Sequence, residues 1–356
     1  MPDKVRIGFV GVGNMGQCAH LRNYRGIPGC EVVAIAEPRA QLARLVAARY
    51  GVPHLFPDAE SMLASESLDA LVAIQPFDRH GSIVLPLYRH GLPLLTEKPL
   101  ASSVQTGEAM LKALKAGGSW HMVGYHKRSD PATVAAKAEI DRLKATGELG
   151  EMRYVRITMP EGDWIAGGFN DVIRTEEPVP SSEADAAPLN MDSATFAKYV
   201  HFANYYIHQV NLMRHLLGEP YDVTHVDRAG VLLAVQSQSG VSGVIEMSPY
   251  RTTVNWHESA LVAFERGFIL LDLPAPLALN RPGGVEFFRD PGDKPPETVR
   301  PQMPWVHAMR QQAANFVAAV RGEAKPPCEA AEALEDLRVA RSYVELLQQQ
   351  LNPRSA

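Results

Sequence analysis

A lysine near the end of a short apolar segment is a strong candidate for acid–base chemistry in this sequence. Lys98 follows the predicted strand Pro93 to Thr96, with only Glu97 between them. Side chains that follow the carboxyl ends of parallel strands face the crevice where such sheets bind ligands. An ammonium group there can hydrogen-bond the oxygen of a hydroxyl or carbonyl substrate and stabilise the charge that develops on it. Lys98 is therefore a candidate catalytic residue, and a solvated surface lysine is the alternative interpretation.

A second set of polar residues is spaced for one face of a helix. The pattern from about Phe202 to Leu217 predicts a helix that ends at a glycine. Within it, Asn204, His208 and Asn211 stand at positions i, i+4 and i+7 and so share a face. We expect this face to form the wall of a site. The alternative for the histidine is a core position bonded to a backbone carbonyl.

A glycine-rich turn near the start of the chain has the spacing of a dinucleotide site. The GxGxxG segment Gly11 to Gly16 directly follows the predicted strand Val5 to Val10 and opens a helix. The first glycine permits the tight turn, the second lets a pyrophosphate approach the backbone, and the third lets helix and strand pack closely. The helix N-terminus supplies amide donors to the phosphates. The predicted phosphate-binding residues are Gly11, Gly13, Asn14, Met15 and Gly16.

An acidic residue follows the next predicted strand, at the place expected to meet the adenosine ribose. Glu37 stands 26 residues after Gly11. An acid near this distance receives the ribose hydroxyls of NAD and repels the 2′-phosphate of NADP. Arg39 keeps NADP open as the alternative, because an arginine there can pair with that phosphate or lie over the adenine. We predict NAD as the cofactor, with Glu37 and Arg39 among the residues that bind it.

The elements that position these residues indicate two domains. Short apolar runs alternate with helical patterns in the first third of the chain, which predicts βαβ units and a doubly wound parallel Rossmann sheet. After residue 126 the pattern changes to a helix and a series of strands, which predicts an α+β domain with an open, mostly antiparallel sheet. We therefore predict an α/β protein with a nucleotide-binding domain at 1–126 and a substrate and oligomerisation domain at 127–356. A final helix at 328–350 is predicted to pack back on the body.

Composition excludes several classes of protein. The chain has 356 residues, a formal net charge of −5 and no long run of Lys and Arg, so nucleic acid is not expected as a partner. Three scattered cysteines favour a reducing cytoplasm over a disulfide framework. No run of residues is long and apolar enough for a membrane span, and no cluster has the spacing of metal ligands. We expect a cytoplasmic enzyme with no metal and no membrane partner.

The glycine turn together with Thr96-Glu97-Lys98-Pro99 resembles the Gfo/Idh/MocA oxidoreductases, which include glucose-fructose oxidoreductase and inositol dehydrogenases. The segment Ala73-Ile74-Gln75-Pro76, followed by His80, resembles the family's turn on the nicotinamide side, although Gln75 replaces the usual threonine. The resemblance spans nearly the whole chain. It implies that five residues lie at the nicotinamide end of the cofactor: Gln75, Pro76, His80, Glu97 and Lys98.

The same resemblance assigns the substrate side of the site. Asn204 to Asn211 is similar to the family's Asp-x-x-x-His-x-x-Asp segment, with Asn at both Asp positions and His208 in the place of the catalytic histidine. Asn204 can orient the imidazole but cannot raise its pKa as Asp would. His126, Lys127 and Arg128 match the stretch that lines the family's sugar pocket. Trp164, in a loop rich in Gly, Pro, Asp and Glu, either stacks on a sugar ring or fills a domain junction.

The resemblance implies an NAD-dependent oxidoreductase that transfers a hydride between nicotinamide and a hydroxyl of a sugar, glycoside or cyclitol. Lys98 and His208 would remove the hydroxyl proton, and Asn204 would assist. A redox-neutral, NAD-dependent glycoside hydrolase of the same fold is the alternative, and a non-catalytic NAD-binding regulator is a third possibility. The expected partners are a small carbohydrate or cyclitol and further copies of the chain, as a homodimer or homotetramer.

Overall fold

The computed structural model describes residues 4–179, 181, 183–188 and 191–351, and these form two compact units. The described residues of 1–125, 167–191 and 309–337 cluster as the first unit, and those of 126–166, 192–308 and 338–356 as the second. We had predicted a single boundary after residue 126. The structure differs from that division in two segments, 167–191 and 309–337, which group with the first unit.

The first unit is built on a six-stranded sheet with all strands parallel, in the order β3-β2-β1-β4-β5-β6. Its strands are β1 Val5–Val10, β2 Cys30–Ala36, β3 His54–Phe56, β4 Ala70–Ala73, β5 Leu94–Glu97 and β6 His121–Gly124. The sequence predicted all of these within about a residue except β3, which is three residues long and partly exposed at the sheet edge. The predicted doubly wound parallel sheet is confirmed.

Helices surround this sheet. They are α1 Arg22–Tyr24, preceded by a π-helical turn Gly16–Leu21, then α2 Ala40–Tyr50, α3 Ala59–Ser65, α4 His80–Ile83, α5 Val104–Gly117 and α9 Ala308–Val320, with 3-10 turns at Phe77–Arg79 and Leu85–His90. The amphipathic stretch Ser82 to His90 is divided, because α4 ends at Ile83 and a 3-10 turn begins at Leu85. A proline at the start of the second piece lacks the N–H that a continuous α-helix requires, so the chain changes to a 3-10 turn there.

The late segment 309–337 joins the first unit because the sheet core needs its apolar side chains. Phe316 is fully buried and lies edge-on to the rings of Tyr24 and Trp120, at centroid distances of 6.2 and 5.5 Å. Ala313 and Val317 belong to the same core cluster as Phe9. Burying a side chain of this kind contributes about 1.5–3 kcal/mol. A helix far along the chain thus completes a core that begins at the first strand.

The second unit holds an eight-stranded, mostly antiparallel sheet in the order β14-β13-β12-β11-β7-β10-β9-β8. Its strands are β7 Met152–Glu161, β8 Tyr221–Val226, β9 Leu232–Ser237, β10 Ser242–Arg251, β11 Glu258–Phe264, β12 Gly267–Leu273, β13 Gly284–Arg289 and β14 Glu297–Val299. Only β7 and β10 pair in parallel. The predicted α+β domain with an open sheet is confirmed.

Three helices of the second unit come from the first half of its sequence. They are α6 Pro131–Thr146, α7 Ser193–Tyr205 and α8 Ile207–Leu217, with a 3-10 turn at His126–Ser129. The last helix, α10 Ala330–Leu351, has its first turns in the first unit and the rest in the second. In the part of the chain that the structure describes, no helix is long and apolar enough to cross a membrane.

Candidate active site

The glycine turn has the geometry that a bound dinucleotide requires. Gly11 has φ +90°, and a Cβ there would lie 2.6 Å from the Ile74 carbonyl oxygen and also meet the Gln75 side chain. A Cβ on Gly16 would lie 2.8 Å from the Gly11 oxygen, so helix and turn are in direct contact. At Gly13 the nearest atom would be an Arg39 nitrogen 4.0 Å away, which leaves open space beside the backbone. The first and third glycines therefore shape the turn, and the second leaves a cradle in which a pyrophosphate fits.

The carboxylate of Glu37 is held by the protein's own donors. Arg39 donates through Nε to Oε1 at 2.7 Å and through Nη2 to Oε2 at 3.0 Å, and its backbone N–H lies 3.2 Å from Oε1. The Val12 N–H donates to Oε2 at 3.1 Å, which ties β2 to the glycine turn. The hydrogen bond to Glu37 raises the pKa of Arg39 despite some burial, and the charge of Glu37 adds to this rise. The guanidinium is thus already paired, which favours NAD over NADP.

At the carboxyl end of β5, Glu97 supports the candidate catalytic lysine. Glu97 is buried, and its Oε1 lies 2.7 Å from Nε2 of His20. Burial raises the pKa of Glu97, but the hydrogen bond and charge of His20, followed by the charge of Lys98, outweigh it and hold that pKa below its ordinary value. The Lys98 N–H donates to Glu97 Oε2 at 3.3 Å, and the Lys98–Pro99 bond is cis. Glu97 therefore remains an anion beside a half-buried lysine.

The predicted nicotinamide-side turn is also rigid. Gln75 donates through Nε2 to the Val10 carbonyl at 3.0 Å, so its side chain braces the end of β1 under the glycine turn. His80 is fully buried, with Nδ1 2.9 Å from the Leu100 oxygen and Nε2 3.3 Å from the Gln75 oxygen. Burial lowers its pKa, which keeps the ring neutral. Pro76 is exposed and precedes the short 3-10 turn. The side chains of Gln75 and His80 thus contact backbone carbonyls and hold this edge of the sheet in place.

In the second unit, the turn His126–Ser129 packs against α8. The rings of His126 and His208 meet edge to face, with centroids 4.6 Å apart and an interplanar angle of 73°. Arg128 donates through Nε to Asn211 Oδ1 at 2.5 Å. His126 and Arg128 are buried, and His208 is partly exposed. The structure therefore brings together the predicted histidine of α8 and the predicted pocket residues of the turn.

The middle residue of this turn is a buried cation with a dedicated partner. Lys127 pairs through Nζ with Glu258, and both side chains are almost completely buried. Gln209 donates through Nε2 to the other Glu258 oxygen at 2.6 Å. The ammonium also lies 5.7 Å from the ring centroid of Trp256. Such full compensation is the usual condition for a buried charge, and it gives Lys127 a positioning role in the turn.

Asn204 departs from its predicted position. The chain breaks its helix at Tyr206 (φ −98°, ψ −2°), so Asn204 lies in the last turn of α7 while His208 and Asn211 lie on α8. Asn204 is exposed, whereas Asn211 is buried. The prediction of one continuous helix with these three residues on a shared face is therefore wrong. Periodicity did not reveal the break, because Tyr206 keeps near-helical dihedral angles and adds no glycine or proline.

Trp164 follows β7 within the second unit and is half-buried. Its backbone oxygen accepts a hydrogen bond from the Leu277 N–H at 3.2 Å. Leu277 lies in the stretch 273–281 that lines a small pocket together with His126 and Lys127. The tryptophan is thus anchored through its backbone to a loop that borders the predicted substrate residues.

The sequence did not point to several partners of the site. His20 contacts Glu97 and Glu258 contacts Lys127, although both come from distant positions and match no local motif. Gln209 in turn donates to Glu258. The only available signals were polar or charged residues inside apolar patterns, such as Glu258 at the start of a strand. Side-chain pairing across the fold was needed to find them.

Comparison with known proteins agrees with this geometry. Residues 5–125 match the model of the oxidoreductase family with an NAD-binding Rossmann fold, GFO_IDH_MocA. The scyllo-inositol 2-dehydrogenase (NAD(+)) of Bacillus subtilis (strain 168) is 26% identical over 260 residues, which are 72% of this chain and 70% of that protein. Inositol 2-dehydrogenase of Rhizobium meliloti (strain 1021) is 26% identical over 301 residues, 81% of each chain. An oxidoreductase domain protein from Kribbella flavida has the same fold, with a TM-score of 0.74, 20% identity and 98% of both chains covered.

The glycine turn, the parallel sheet and these matches define an oxidoreductase with an NAD-binding Rossmann domain. Residues 5–125 form an NAD-binding Rossmann domain of the Gfo/Idh/MocA oxidoreductase family. The predicted family and the predicted cofactor, NAD, are confirmed.

Proposed function

We propose that the protein is an NAD-dependent dehydrogenase that oxidises a secondary hydroxyl of a cyclitol or sugar, or reduces the corresponding ketone. The observation that supports this most strongly is the extent of the likeness to inositol 2-dehydrogenase of Rhizobium meliloti (strain 1021), which covers 81% of each chain and so continues well beyond the nucleotide-binding domain. A likeness confined to residues 5–125 would support only the binding of NAD, not the choice of substrate.

The residues divide the reaction between them. A bound NAD would supply the hydride acceptor for the carbon that bears the hydroxyl. Lys98 holds the reacting oxygen by hydrogen bonds and stabilises its developing negative charge. The Glu97 anion accepts a hydrogen bond from the Lys98 backbone N–H, which fixes the backbone that carries the ammonium. His208 accepts the hydroxyl proton. His126 packs against the His208 ring and fixes its orientation, while Arg128 ties the turn to Asn211 of α8 and Lys127 ties it to Glu258 of β11.

The second unit carries several hydrogen-bond donors that could bind a substrate with several hydroxyl groups. His126, Lys127 and Arg128 place donors on consecutive residues of one short turn, and a site that hydrogen-bonds hydroxyls rejects analogues that lack them. We propose that the adjoining rings of His126 and His208 contact the substrate, and that Lys127 and Arg128, which bind Glu258 and Asn211, support the turn. Trp164 would supply a flat apolar surface for a ring face.

The decisive experiment combines NAD⁺ with a panel of inositols, hexoses, sugar acids and glycosides, followed at 340 nm. We expect steady NADH formation with at least one cyclitol or sugar. Lys98→Ala should abolish it, while Lys112→Ala, an exposed lysine on α5, should not change it. Release of an aglycone from a glycoside without net NADH would refute the dehydrogenase and support the redox-neutral hydrolase.

We also propose that the chain forms a homodimer or homotetramer in the cytoplasm. The open eight-stranded sheet of the second unit supports self-association, and the three cysteines, which form no disulfide in the structure, support a reducing compartment. Light scattering coupled to size-exclusion chromatography tests the first point. A mass equal to one 39.0 kDa chain at all concentrations would contradict it.

A further inference from the structure

A glutamate far along the chain caps the helix that follows the predicted ribose position. The Gln41 and Leu42 N–H groups, in the first turn of α2, donate to the two oxygens of Glu177 at 2.9 Å each. The hydroxyl of Thr175 also donates to this carboxylate, at 3.1 Å. The helix's own N-cap residue is Arg39, whose side chain has no acceptor. Glu177 therefore supplies the cap that the local sequence lacks.

The capped helix end lies next to the groups that distinguish NAD from NADP. Glu37 and Arg39 stand between the end of β2 and the first turn of α2. A 2′-phosphate on the adenosine ribose is received by an arginine or by the free N–H groups of a helix N-terminus. Here Glu37 holds the Arg39 guanidinium through two hydrogen bonds, and Glu177 holds the N–H groups. Both means of receiving the phosphate are thus taken by carboxylates of the chain itself.

The carboxylate of Glu177 is charged and is held in place. The hydrogen bond from Gln41 lowers the pKa of Glu177, and desolvation opposes it. The hydrogen bonds from Leu42 and Thr175 and the charge of Arg39 lower this pKa further, so it lies below its ordinary value. The segment that bears it is fixed by Gln17, whose side chain accepts from the Ile173 N–H at 3.0 Å and donates to the Ile173 oxygen at 3.1 Å. Gln17 directly follows the last glycine of the turn. The hydrogen bonds of Gln17 thus help to position the negative charge of Glu177.

We propose that Glu177 is a second NAD-selecting residue, whose carboxylate occupies the helix end that a 2′-phosphate would otherwise bind and repels that phosphate. Glu37 alone would leave the N–H groups of α2 available to NADP. This inference rests on the NAD site and is independent of which alcohol the enzyme oxidises.

The test measures binding of cofactor fragments, without substrate. Titration calorimetry compares 5′-AMP with 2′,5′-ADP on the wild type, Glu177→Gln, Glu177→Ser and the control Glu176→Gln. The control removes the same charge from an exposed neighbour. We expect Glu177→Gln to tighten 2′,5′-ADP binding about tenfold relative to 5′-AMP, which is about 1.4 kcal/mol, because it removes a charge that repels the phosphate. Glu177→Ser should tighten it further because it also frees the two N–H groups.

The outcomes separate this inference from the proposed function. If 5′-AMP binds every variant but the ratio of the two affinities stays within twofold of the wild type, or if Glu176→Gln changes it equally, Glu177 does not select the cofactor. If 5′-AMP fails to bind the wild type, the cofactor site and this inference both fail. Thermal unfolding of each variant verifies that the cap is not required for folding, and Glu177→Gln, which keeps the size of the side chain, retains the test if Glu177→Ser unfolds.

Discussion

The two units build their functional groups in different ways. In the first unit, the glycine turn and the edge of β5 place the important groups by backbone geometry: a positive φ at Gly11, open space at Gly13 and a lysine directly after a strand. In the second unit, the turn His126–Ser129 is held by side chains that pair across the fold, including a buried lysine and glutamate. A backbone-built site is encoded within a few residues, whereas a side-chain-built site depends on distant positions.

The largest expected effect separates the catalytic contributions of the two units. Lys98→Ala should lower the rate of NADH formation about a thousandfold, and His208→Ala about a hundredfold, because electrostatic stabilisation of the oxygen exceeds the gain from proton transfer to a histidine. Single-turnover absorbance at 340 nm measures both rates. If the histidine variant were the slower of the two, the second unit would supply the main catalytic group.

The next effect tests the buried ion pair of the second unit. Glu258→Gln leaves the Lys127 ammonium buried without an anion, so we expect a loss of about 3 kcal/mol in the free energy of unfolding. The double variant Lys127→Met with Glu258→Gln should recover most of that loss. Urea denaturation measures all three proteins. As the control, Glu265→Gln breaks an exposed pair with Arg153 and should cost less than about 1 kcal/mol. Equal costs at the two sites would show that the buried pair does not organise the turn.

Substitutions at two of the turn's three glycines distinguish the stability of the first unit from its ligand binding. Gly11→Ala should destabilise the protein by about 2 kcal/mol, because a side chain at φ +90° is strained and meets the Ile74 oxygen. Gly13→Ala should leave the thermal midpoint unchanged but weaken NAD binding at least about tenfold, since its methyl group fills the cradle. Scanning calorimetry and NAD titration measure the two quantities. Normal NAD affinity in Gly13→Ala would place the pyrophosphate elsewhere.

The smallest effect concerns pH. His121 is fully buried between Tyr88 and Thr96, with ring nitrogens 2.8 and 2.9 Å from their hydroxyl oxygens. Burial, and then the charge of His80, lower its pKa from 6.5 to about 3. Between these values the unfolded chain binds a proton that the folded protein does not. Stability should therefore fall as the pH decreases from 6.5 towards 3, by about 1.4 kcal/mol per unit from this residue. His121→Gln should reduce that slope in urea titrations at pH 6.5 and 5.5; an unchanged slope would contradict the assignment.

The contrast between the units also explains how much the sequence could predict. The parallel strands, the glycine turn and Lys98 were predictable because their signals are local: short apolar runs, fixed glycine spacing and a lysine after a strand. The break at Tyr206 was not, because that residue has near-helical dihedral angles and the helical pattern continues on both sides. The pairs His20–Glu97 and Gln209–Glu258 were not predictable either, since each joins residues that share no motif and meet only through packing. The roles of the site residues stay predictions until the variants are measured.

The discontinuous first unit has a consequence for dissecting the protein. Its core includes Phe316, and one of its helix caps is Glu177, so the nucleotide-binding unit is complete only once residues up to 337 are present. A fragment that ends at residue 126 would expose the sheet surface that α9 covers and leave the start of α2 uncapped. During synthesis on the ribosome, the cofactor domain cannot finish folding until residues 309–337 have emerged. Its NAD site therefore matures long after the glycine turn has been made.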